Sequence, residues 1–358
     1  MLGTLSVSDT LASAANQTVA DFGEDNAFKE ISRFLDAHNQ VTGDMLASLC
    51  DFTDDRLRRY GGVDEMEMQE AGEYHTPEAQ KVAAGATVGF PLRRQEIALQ
   101  WTRDYFENHT VAELAAQFDA ARAADLRRIQ RELKRALFSS ANYRFSDYLV
   151  DRVDIDVKRL LNADGQPVPI NPQGETFNPA THTHYIARVG ALANSDVQSA
   201  IEHVVEHGYG GRPVIYINRG NEAAIRALTG FNPYTEARII PAPGGTADRA
   251  SGTVATDTLY NKSIGIFDGG AEVWVKPWIP NNYLLVFDAA SPAKPLVWRN
   301  RLGHGSARPA PLQIVAELEL YPLRAQIMRR EFGIGVWNRA NGCVLYVGGT
   351  SYVVPTFN

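Results

Sequence analysis

One long amphipathic segment constrains the fold of this 358-residue chain more than any other feature. Thr110 and Glu113 have the spacing of a capping box, in which the two side chains satisfy free backbone amides at the start of a helix. From there, apolar residues recur at helical spacing as far as Leu137. The pattern predicts one helix over 110–139, roughly 42 Å long, whereas helices in compact domains average about a dozen residues. We expect such a helix to be a spine against which other elements pack.

The composition is that of a globular protein, with 44% hydrophobic and 22% charged residues, and it fits one large or two ordinary domains. The longest apolar run, 283–287, is far too short for a membrane helix, and the first residues lack the basic head of a signal peptide. We therefore expect no membrane partner. Cys50 and Cys343 are too few for a disulfide framework or a cysteine zinc site, which favours a reducing cytosol.

Charge is unevenly spread along the chain. Residues 1–80 hold 16 Asp and Glu against 5 Lys and Arg, or −11, which leaves +4 of the total −7 for the remainder. The acidic segment is read as a separate unit that is either a solvated face or a surface for a basic partner. The total charge is not that of a dedicated nucleic-acid binder.

The chain divides into successive pattern types. Residues 1–22 have little periodicity and predict an extended arm, and two short helices interrupted at Gly43 follow it. Strict alternation over 63–68 and a β-type pattern over 86–90 predict a long β-hairpin that buries little and therefore projects. A mixed α/β unit is expected over about 185–288.

Two histidine patterns raise the question of a metal site. His203, Glu206 and His207 have the H-x-x-E-H form of inverted zinc peptidases. A helical wheel places these three residues opposite the apolar face, towards solvent, so we predict no metal there. His182 and His184 share one side of an extended segment but lack a third ligand, and again no metal is predicted.

Other catalytic signatures are missing from the sequence. It has no G-x-S-x-G elbow and no phosphate-binding glycine loop, and Cys50 has only His38 nearby on a helix that looks exposed. The chain is therefore not expected to be an enzyme.

Several stretches resemble a known group of shell proteins. They are FPLRR (90–94), ALQWT (98–102), RALF (135–138), LNADG (161–165), THTHY (181–185), WIPNNY (278–283) and GIGVW (333–337). Together with the order of elements, they are similar to the major capsid proteins of tailed bacteriophages, which have the Hong Kong 97 capsid fold. The resemblance implies an α+β fold with an N-terminal arm and short helices over 1–60, an E-loop over 61–95, a peripheral domain over 96–184, an axial domain over 185–290 and return strands of the peripheral domain over 291–358.

The resemblance also implies a function. It implies a structural, non-enzymatic protein without cofactors that forms the hexamers and pentamers of an icosahedral head around double-stranded DNA. It would be made in the host cytoplasm and reside in the virion, with portal, scaffold and decoration or cement proteins as further partners. Two alternatives remain open: an encapsulin-like nanocompartment shell, and a zinc peptidase of the H-x-x-E-H type.

Two groups of residues are candidates for this function. The basic end of the spine helix is expected to contact DNA nonspecifically through Arg127, Arg128, Arg131, Lys134 and Arg135. The E-loop is expected to contact a neighbouring subunit through Met66, Met68, Tyr74, Lys81 and Phe90. Some capsid proteins cross-link a lysine of this loop to an asparagine of a neighbour, but the surroundings of Lys81, Asn338 and Asn341 give no convincing match, so noncovalent closure is expected.

Overall fold

The computed structural model describes residues 14–60, 66, 68–80, 85–233, 240–241, 247–248 and 262–357. The α-helices in these residues are α1 Val19–Phe22, α2 Glu24–Leu46, α3 Arg103–Asn108, α4 Val111–Phe138, α5 Asn194–Val205 and α6 Glu222–Arg226. Short 3-10 helices cover Arg219–Asn221 and Asp268–Gly270.

The strands of the described residues are β1 Cys50–Thr53, β2 Leu57–Tyr60, β3 Ala86–Gly89, β4 Arg93–Thr102, β5 Tyr143–Ser146, β6 Asp154–Val157, β7 Tyr185–Arg188, β8 Pro213–Ile217, β9 Phe231–Pro233, β10 Ile240–Pro241, β11 Ala247–Asp248, β12 Lys262–Phe267, β13 Ala271–Val275, β14 Tyr283–Asp288, β15 Leu296–Arg299, β16 Gln313–Leu320, β17 Leu323–Val336 and β18 Cys343–Val347. Most of them belong to a five-stranded and a seven-stranded sheet.

The predicted spine helix is confirmed as α4, which spans 28 residues. Its capping box is present: the Thr110 hydroxyl accepts from the Glu113 amide at 3.3 Å, and the Glu113 carboxylate accepts from the Thr110 amide at 2.9 Å. The 14-residue strand β17 packs against α4 and pairs with β4, β15 and β16 in the five-stranded sheet. The long helix and the long strand thus form the frame of the subunit.

The N-terminal segment is part of this frame. Phe28 of α2 contacts the rings of Trp101, Phe106 and Phe118 with centroids 5.7, 6.1 and 6.3 Å apart, in a buried cluster with the first half of α4. The two short helices expected here are one 23-residue helix that continues through Gly43. A glycine near the end of a helix weakens it by only about 1 kcal/mol relative to alanine, and packing against α4 outweighs this cost.

The expectation that Cys50 has only His38 nearby on a solvent-exposed helix is wrong. Cys50 is buried in β1, which pairs in parallel with β15, and His38 is buried on α2. Leu49 directly precedes this strand and Phe52 lies within it, although both apolar residues also continue the helical spacing of the preceding segment. A short apolar run does not distinguish a buried strand from a buried helix.

The seven-stranded sheet has the order β7-β18-β14-β8-β13-β12-β9. All six residues of β14 are buried, and they alternate between two cores: Leu284 and Val286 face the cluster that contains α5, whereas Leu285 and Phe287 join the cluster that contains the end of α4. The sheet is therefore covered on both faces. β18, from the segment expected to return to the peripheral unit, pairs instead with β14 and β7 of this sheet.

The projecting segment differs from the predicted long β-hairpin. β2 and β3 pair antiparallel over four residues each, from Leu57↔Gly89 to Tyr60↔Ala86. Residues 66 and 68–80 form no strand, and every one of them is exposed. The alternation predicted over 63–68 lies largely outside the described residues, and within them Met66 and Met68 are exposed with no second layer on which to pack. Among the described residues, no helix is both long enough and apolar enough to cross a membrane.

Candidate functional site

The segment over 61–95, which is expected to be the E-loop, carries exposed apolar side chains. Met66, Met68 and Tyr74 are 53%, 102% and 94% exposed. Lys81 lies outside the described residues. A loop that exposes large apolar side chains has the properties of a segment that packs against another protein surface.

Phe90 was expected to belong to this contact surface, and that expectation is wrong. Its ring is fully buried in a cluster with Tyr60, Val88 and Leu161. The Phe90 carbonyl also accepts a hydrogen bond from the buried Arg299 guanidinium at 2.8 Å. Phe90 anchors the base of the loop inside its own subunit, because it comes directly after β3, where the chain re-enters the core.

A second projecting element was not singled out from the sequence. The hairpin of β16 and β17 ends in an apolar tip at which Leu318, Leu320 and Tyr321 are 56%, 74% and 85% exposed. The signal was present, because the two leucines alternate with Glu317 and Glu319 just before the turn at Tyr321. This hairpin tip is therefore a further exposed apolar projection beside the segment expected to be the E-loop.

The predicted basic cluster lies in the second half of α4. Arg127 is exposed, whereas Arg128, Arg131, Lys134 and Arg135 are partly buried. Glu132 lies between them and pairs with Arg128 at 2.8 Å and with Arg135 at 3.2 Å. Because Glu132 pairs with only two of the five cations, the surface keeps an excess of positive charge.

Burial affects the charges of this cluster. It lowers the pKa of Arg128, against the opposing effect of Glu132, and the neighbouring arginines lower it further. Burial and Arg131 also lower the pKa of Lys134. An anion placed against this surface would relieve the mutual repulsion of the cations.

Three histidines and a glutamate converge beneath the end of α5. The His182 Nε2 atom lies 3.1 Å from that of His184 and 3.0 Å from that of His207, and the latter two Nε2 atoms are 3.2 Å apart. Glu206 Oε1 lies 3.6 Å from Nε2 of His182 and 3.9 Å from Nε2 of His207. We call these four residues the histidine cluster.

The prediction that Glu206 and His207 face solvent is wrong. His207 is only 6% exposed, and His184 is fully buried. The helical wheel fails because it leaves out the rest of the chain. Glu206 keeps helical backbone angles and its amide donates to the Glu202 carbonyl, but His182 and His184 of the connection over 162–184 pack against this end of the helix. The chain leaves the helix directly afterwards, where Gly208 has a φ of +81°.

Backbone carbonyls orient two of the imidazoles. His184 Nδ1–H donates to the Gly342 carbonyl at 2.7 Å, and His207 Nδ1–H donates to the Pro169 carbonyl at 3.2 Å. His182 is positioned by a turn in which its amide and that of Thr181 donate to the Asn178 carbonyl. The cluster therefore joins the connection before β7, the end of α5 and the residue before β18.

Burial disfavours charge throughout the cluster. It lowers the pKa of His182 and of His207 to about 4 each, with a further contribution from neighbouring histidines. Burial also lowers the pKa of His184 far below its ordinary value, and it raises the pKa of the Glu206 carboxyl. The rings are therefore neutral imidazoles at neutral pH, the form that binds metal.

His203 is the first histidine of the H-x-x-E-H pattern, but it is not one of the four converging residues. Its Nδ1 contacts the Ser199 carbonyl of its own helix at 2.7 Å, and its ring stacks near His182 with centroids 6.1 Å apart. The ligand pair of the peptidase pattern is therefore not reproduced. The two histidine patterns, 182/184 and 203/207, are separate in the sequence but contribute to one cluster. Packing of the 162–184 connection against α5 brings them together.

Comparisons with known proteins bear on the fold. No protein-family model matches this chain, and no curated protein matches it in sequence. A solved chain of Mycobacterium phage Patience is 21% identical and superposes with a TM-score of 0.66, covering 91% of this chain and 88% of that one.

Two further solved structures match more loosely. The capsid of an empty GTA particle is 13% identical over 85% of this chain and 90% of that one, with a TM-score of 0.45. The SrpI encapsulin complex from Synechococcus elongatus PCC 7942 is 12% identical over 87% of this chain and 90% of that one, with a TM-score of 0.43. The chain has the α+β fold of phage capsid proteins, the Hong Kong 97-like fold expected from the sequence.

Proposed function

We propose that this chain is the major capsid protein of a tailed bacteriophage. It assembles into hexamers and pentamers of an icosahedral head that encloses double-stranded DNA, and it has no enzymatic role. The observation that carries the proposal is the phage-capsid fold, shared with the Mycobacterium phage Patience chain over 91% of the sequence. In this assignment, 61–95 is the E-loop, 96–184 with α4 belongs to the peripheral domain and 185–290 is the axial domain.

The exposed surfaces support an assembling protein. The E-loop and the β16–β17 tip present large apolar side chains that their own subunit leaves uncovered. Burial of these side chains against neighbouring subunits would remove them from water. Phe90 and the β2–β3 pairing hold the base of the E-loop, so that its outer part is presented from a fixed position.

The basic surface on α4 supports contact with packaged nucleic acid. Arginine and lysine side chains bind phosphates by releasing counterions, without reading sequence, and the contact weakens with added salt. A cluster of five cations with one carboxylate suits this weak, nonspecific contact, because three of the cations are not paired with that carboxylate.

Electron microscopy of the protein purified after expression tests the proposal. Closed shells of uniform size are expected, and a population of subunits that never forms shells, even with its phage partners, contradicts it. The contents of shells isolated from infected or producing cells separate the alternatives, because a phage head holds DNA whereas an encapsulin-like compartment holds a protein cargo.

A further inference from the structure

The histidine cluster has a geometry that hydrogen bonding does not explain. The Nε2 atoms of His182, His184 and His207 lie within 3.2 Å of one another, so the cluster contains three nitrogen–nitrogen contacts. Carbonyl oxygens only accept, so His184 and His207 each carry their neutral-ring proton on Nδ1. Their Nε2 atoms therefore present lone pairs to each other, and the one proton that His182 Nε2 can offer does not satisfy all three contacts.

A cation placed beside the three nitrogens satisfies all of these lone pairs at once. An ion ~2.05 Å from three nitrogens that are ~3.1 Å apart lies ~1 Å outside their plane, as in a tetrahedral zinc site. In an ideal tetrahedral site with this bond length the nitrogens are ~3.3 Å apart. The observed separations of 3.0 to 3.2 Å need only a small outward shift of the rings to match it.

Glu206 supplies a fourth, anionic ligand. Its Oε1 is buried and has no hydrogen-bond partner among the described residues. It lies 3.6 and 3.9 Å from two of the nitrogens, and the four ligand atoms all fall within 4.8 Å of one another. A buried carboxylate oxygen without a partner is costly, and coordination of a cation removes that cost.

We propose that His182, His184, Glu206 and His207 bind one Zn²⁺ ion as a structural site. Three imidazole nitrogens and one carboxylate oxygen in a tetrahedral arrangement suit Zn²⁺, whereas Mg²⁺ and Ca²⁺ prefer all-oxygen sites with more ligands. The protein fills all four positions, so no position is left for a reactive water, as a peptidase requires. Zinc bound here would contradict the sequence-based prediction that these histidines bind no metal. Zinc binding at this site does not depend on shell assembly.

The position of the site suggests its role. His182 and His184 come from the end of the largely irregular connection over 162–184, and Glu206 and His207 follow α5. The second nitrogens of two ligands bond to carbonyls at Pro169, earlier in the same connection, and at Gly342, next to β18. These bonds are the outer contacts that orient zinc ligands. The ion therefore fastens the connection to the end of α5 and the edge of the seven-stranded sheet.

Metal content and cobalt substitution on the full chain test the site. Protein expressed with added zinc is expected to retain one zinc ion per chain after dialysis. After chelation and reconstitution with Co²⁺, it is expected to show the intense visible absorption of tetrahedral cobalt. A zinc content far below one per chain together with weak, octahedral-type cobalt absorption overturns the proposal.

Single substitutions assign the ligands. H182Q and H207Q are each expected to lower zinc affinity by more than ~100-fold, the upper end of the loss when only an outer-shell partner is removed. H203Q is the matched control, because His203 lies beside the cluster without a ligand atom in it, and it is expected to retain zinc. If H203Q loses zinc while H182Q retains it, the metal belongs to the H-x-x-E-H pattern and the proposed site is wrong.

The test remains decisive if a ligand variant fails to fold. In that case the wild-type melting temperature is measured against free zinc, because an ion that binds the folded state alone raises it with concentration. A melting temperature that is independent of zinc, in a protein that contains none, refutes the site. Shells formed by a protein that binds no zinc, even when zinc is supplied, refute the metal site and leave the proposed function intact, whereas zinc-loaded subunits that never assemble do the reverse.

Discussion

The buried ion pair between the spine helix and the longest strand offers the sharpest test of what holds the subunit together. Asp125 lies midway along α4, and Arg330 of β17 donates to its two carboxylate oxygens at 3.0 and 2.9 Å. His38 of α2 contacts the same carboxylate at 2.8 Å. The side chains of Arg330 and Asp125 are 0% and 5% exposed, so solvent does not screen the pair. Three elements thus meet at one carboxylate.

Replacing Arg330 with methionine preserves most of the side-chain volume and removes the charge. It leaves Asp125 buried with only His38 beside it, and it also removes the bonds from Arg330 to the Ala310 carbonyl and to Asn39, both 2.8 Å. Removing one partner of a buried pair typically costs about 3–5 kcal/mol of unfolding free energy. We expect the unfolding free energy to fall by about 3 kcal/mol, because His38 can still compensate part of the Asp125 charge.

Arg329→Met is the matched control, because Arg329 is the adjacent residue of β17 and points to the other face. It pairs with Glu96 at 2.6 Å, but the two side chains are 30% and 41% exposed. Exposed pairs contribute about 0–1 kcal/mol. The two variants therefore remove the same chemical group from neighbouring positions and differ mainly in burial.

Urea unfolding, followed by circular dichroism on dispersed subunits, measures both variants. The midpoint of R330M is expected to fall well below that of R329M with similar denaturant dependence. The double variant D125N/R330M is expected to cost less than the sum of its single variants, with a coupling of about 0.5–3 kcal/mol. Equal losses for R330M and R329M, or full additivity in the double variant, would refute the reasoning.

Three further predictions concern assembly and packing. Replacing residues 66–80 with a short Gly/Ser turn is expected to leave a soluble, cooperatively unfolding subunit, since all the described residues of this segment are exposed. Electron microscopy should then show no closed particles, and full-sized shells would show that closure depends on other surfaces. Gly333→Ala should destabilise the subunit by about 1–3 kcal/mol, because a Cβ there would stand 1.8 Å from the Pro91 carbonyl oxygen. Gly72→Ala, which meets nothing within 4 Å, serves as its control in thermal unfolding, and comparable melting temperatures would contradict the clash. Replacing Arg127, Arg128 and Arg131 of α4 with glutamine should lower genome retention at low salt in intact particles. Unchanged retention would argue against DNA contact at this surface.

The sequence predicted correctly the helices and strands whose residue pattern is contained within one short stretch of the chain. The capping box at Thr110 and the apolar stripe behind it define α4 almost to the residue. Strands β8 and β13 lie within the mixed α/β unit expected over about 185–288, where runs of β-branched and aromatic residues between turns have few alternatives to a strand. The resemblance of scattered motifs also predicted the fold that the structural comparison confirms.

Wrong expectations arose where the outcome depended on distant contacts. Phe90 and Cys50 are apolar residues in short segments, and only the completed sheets show that both are buried within the subunit. The alternation over 63–68 indicates a strand only if a neighbouring layer covers one face, and residues 66 and 68–80 have no such layer. Gly43 interrupts the helical pattern in the sequence, yet α2 continues through this residue because α4 packs against α2.

The histidine cluster shows most clearly what only the tertiary structure decides. The sequence by itself determined that imidazoles occur in pairs at 182 and 184 and near the end of a helix at 207. Their convergence required the connection before β7 to fold against the turn after α5, with Pro169 and Gly342 orienting the rings. A site built from segments more than twenty residues apart has no period in the sequence, because its geometry arises from packing, whereas helices and strands arise from local backbone bonding.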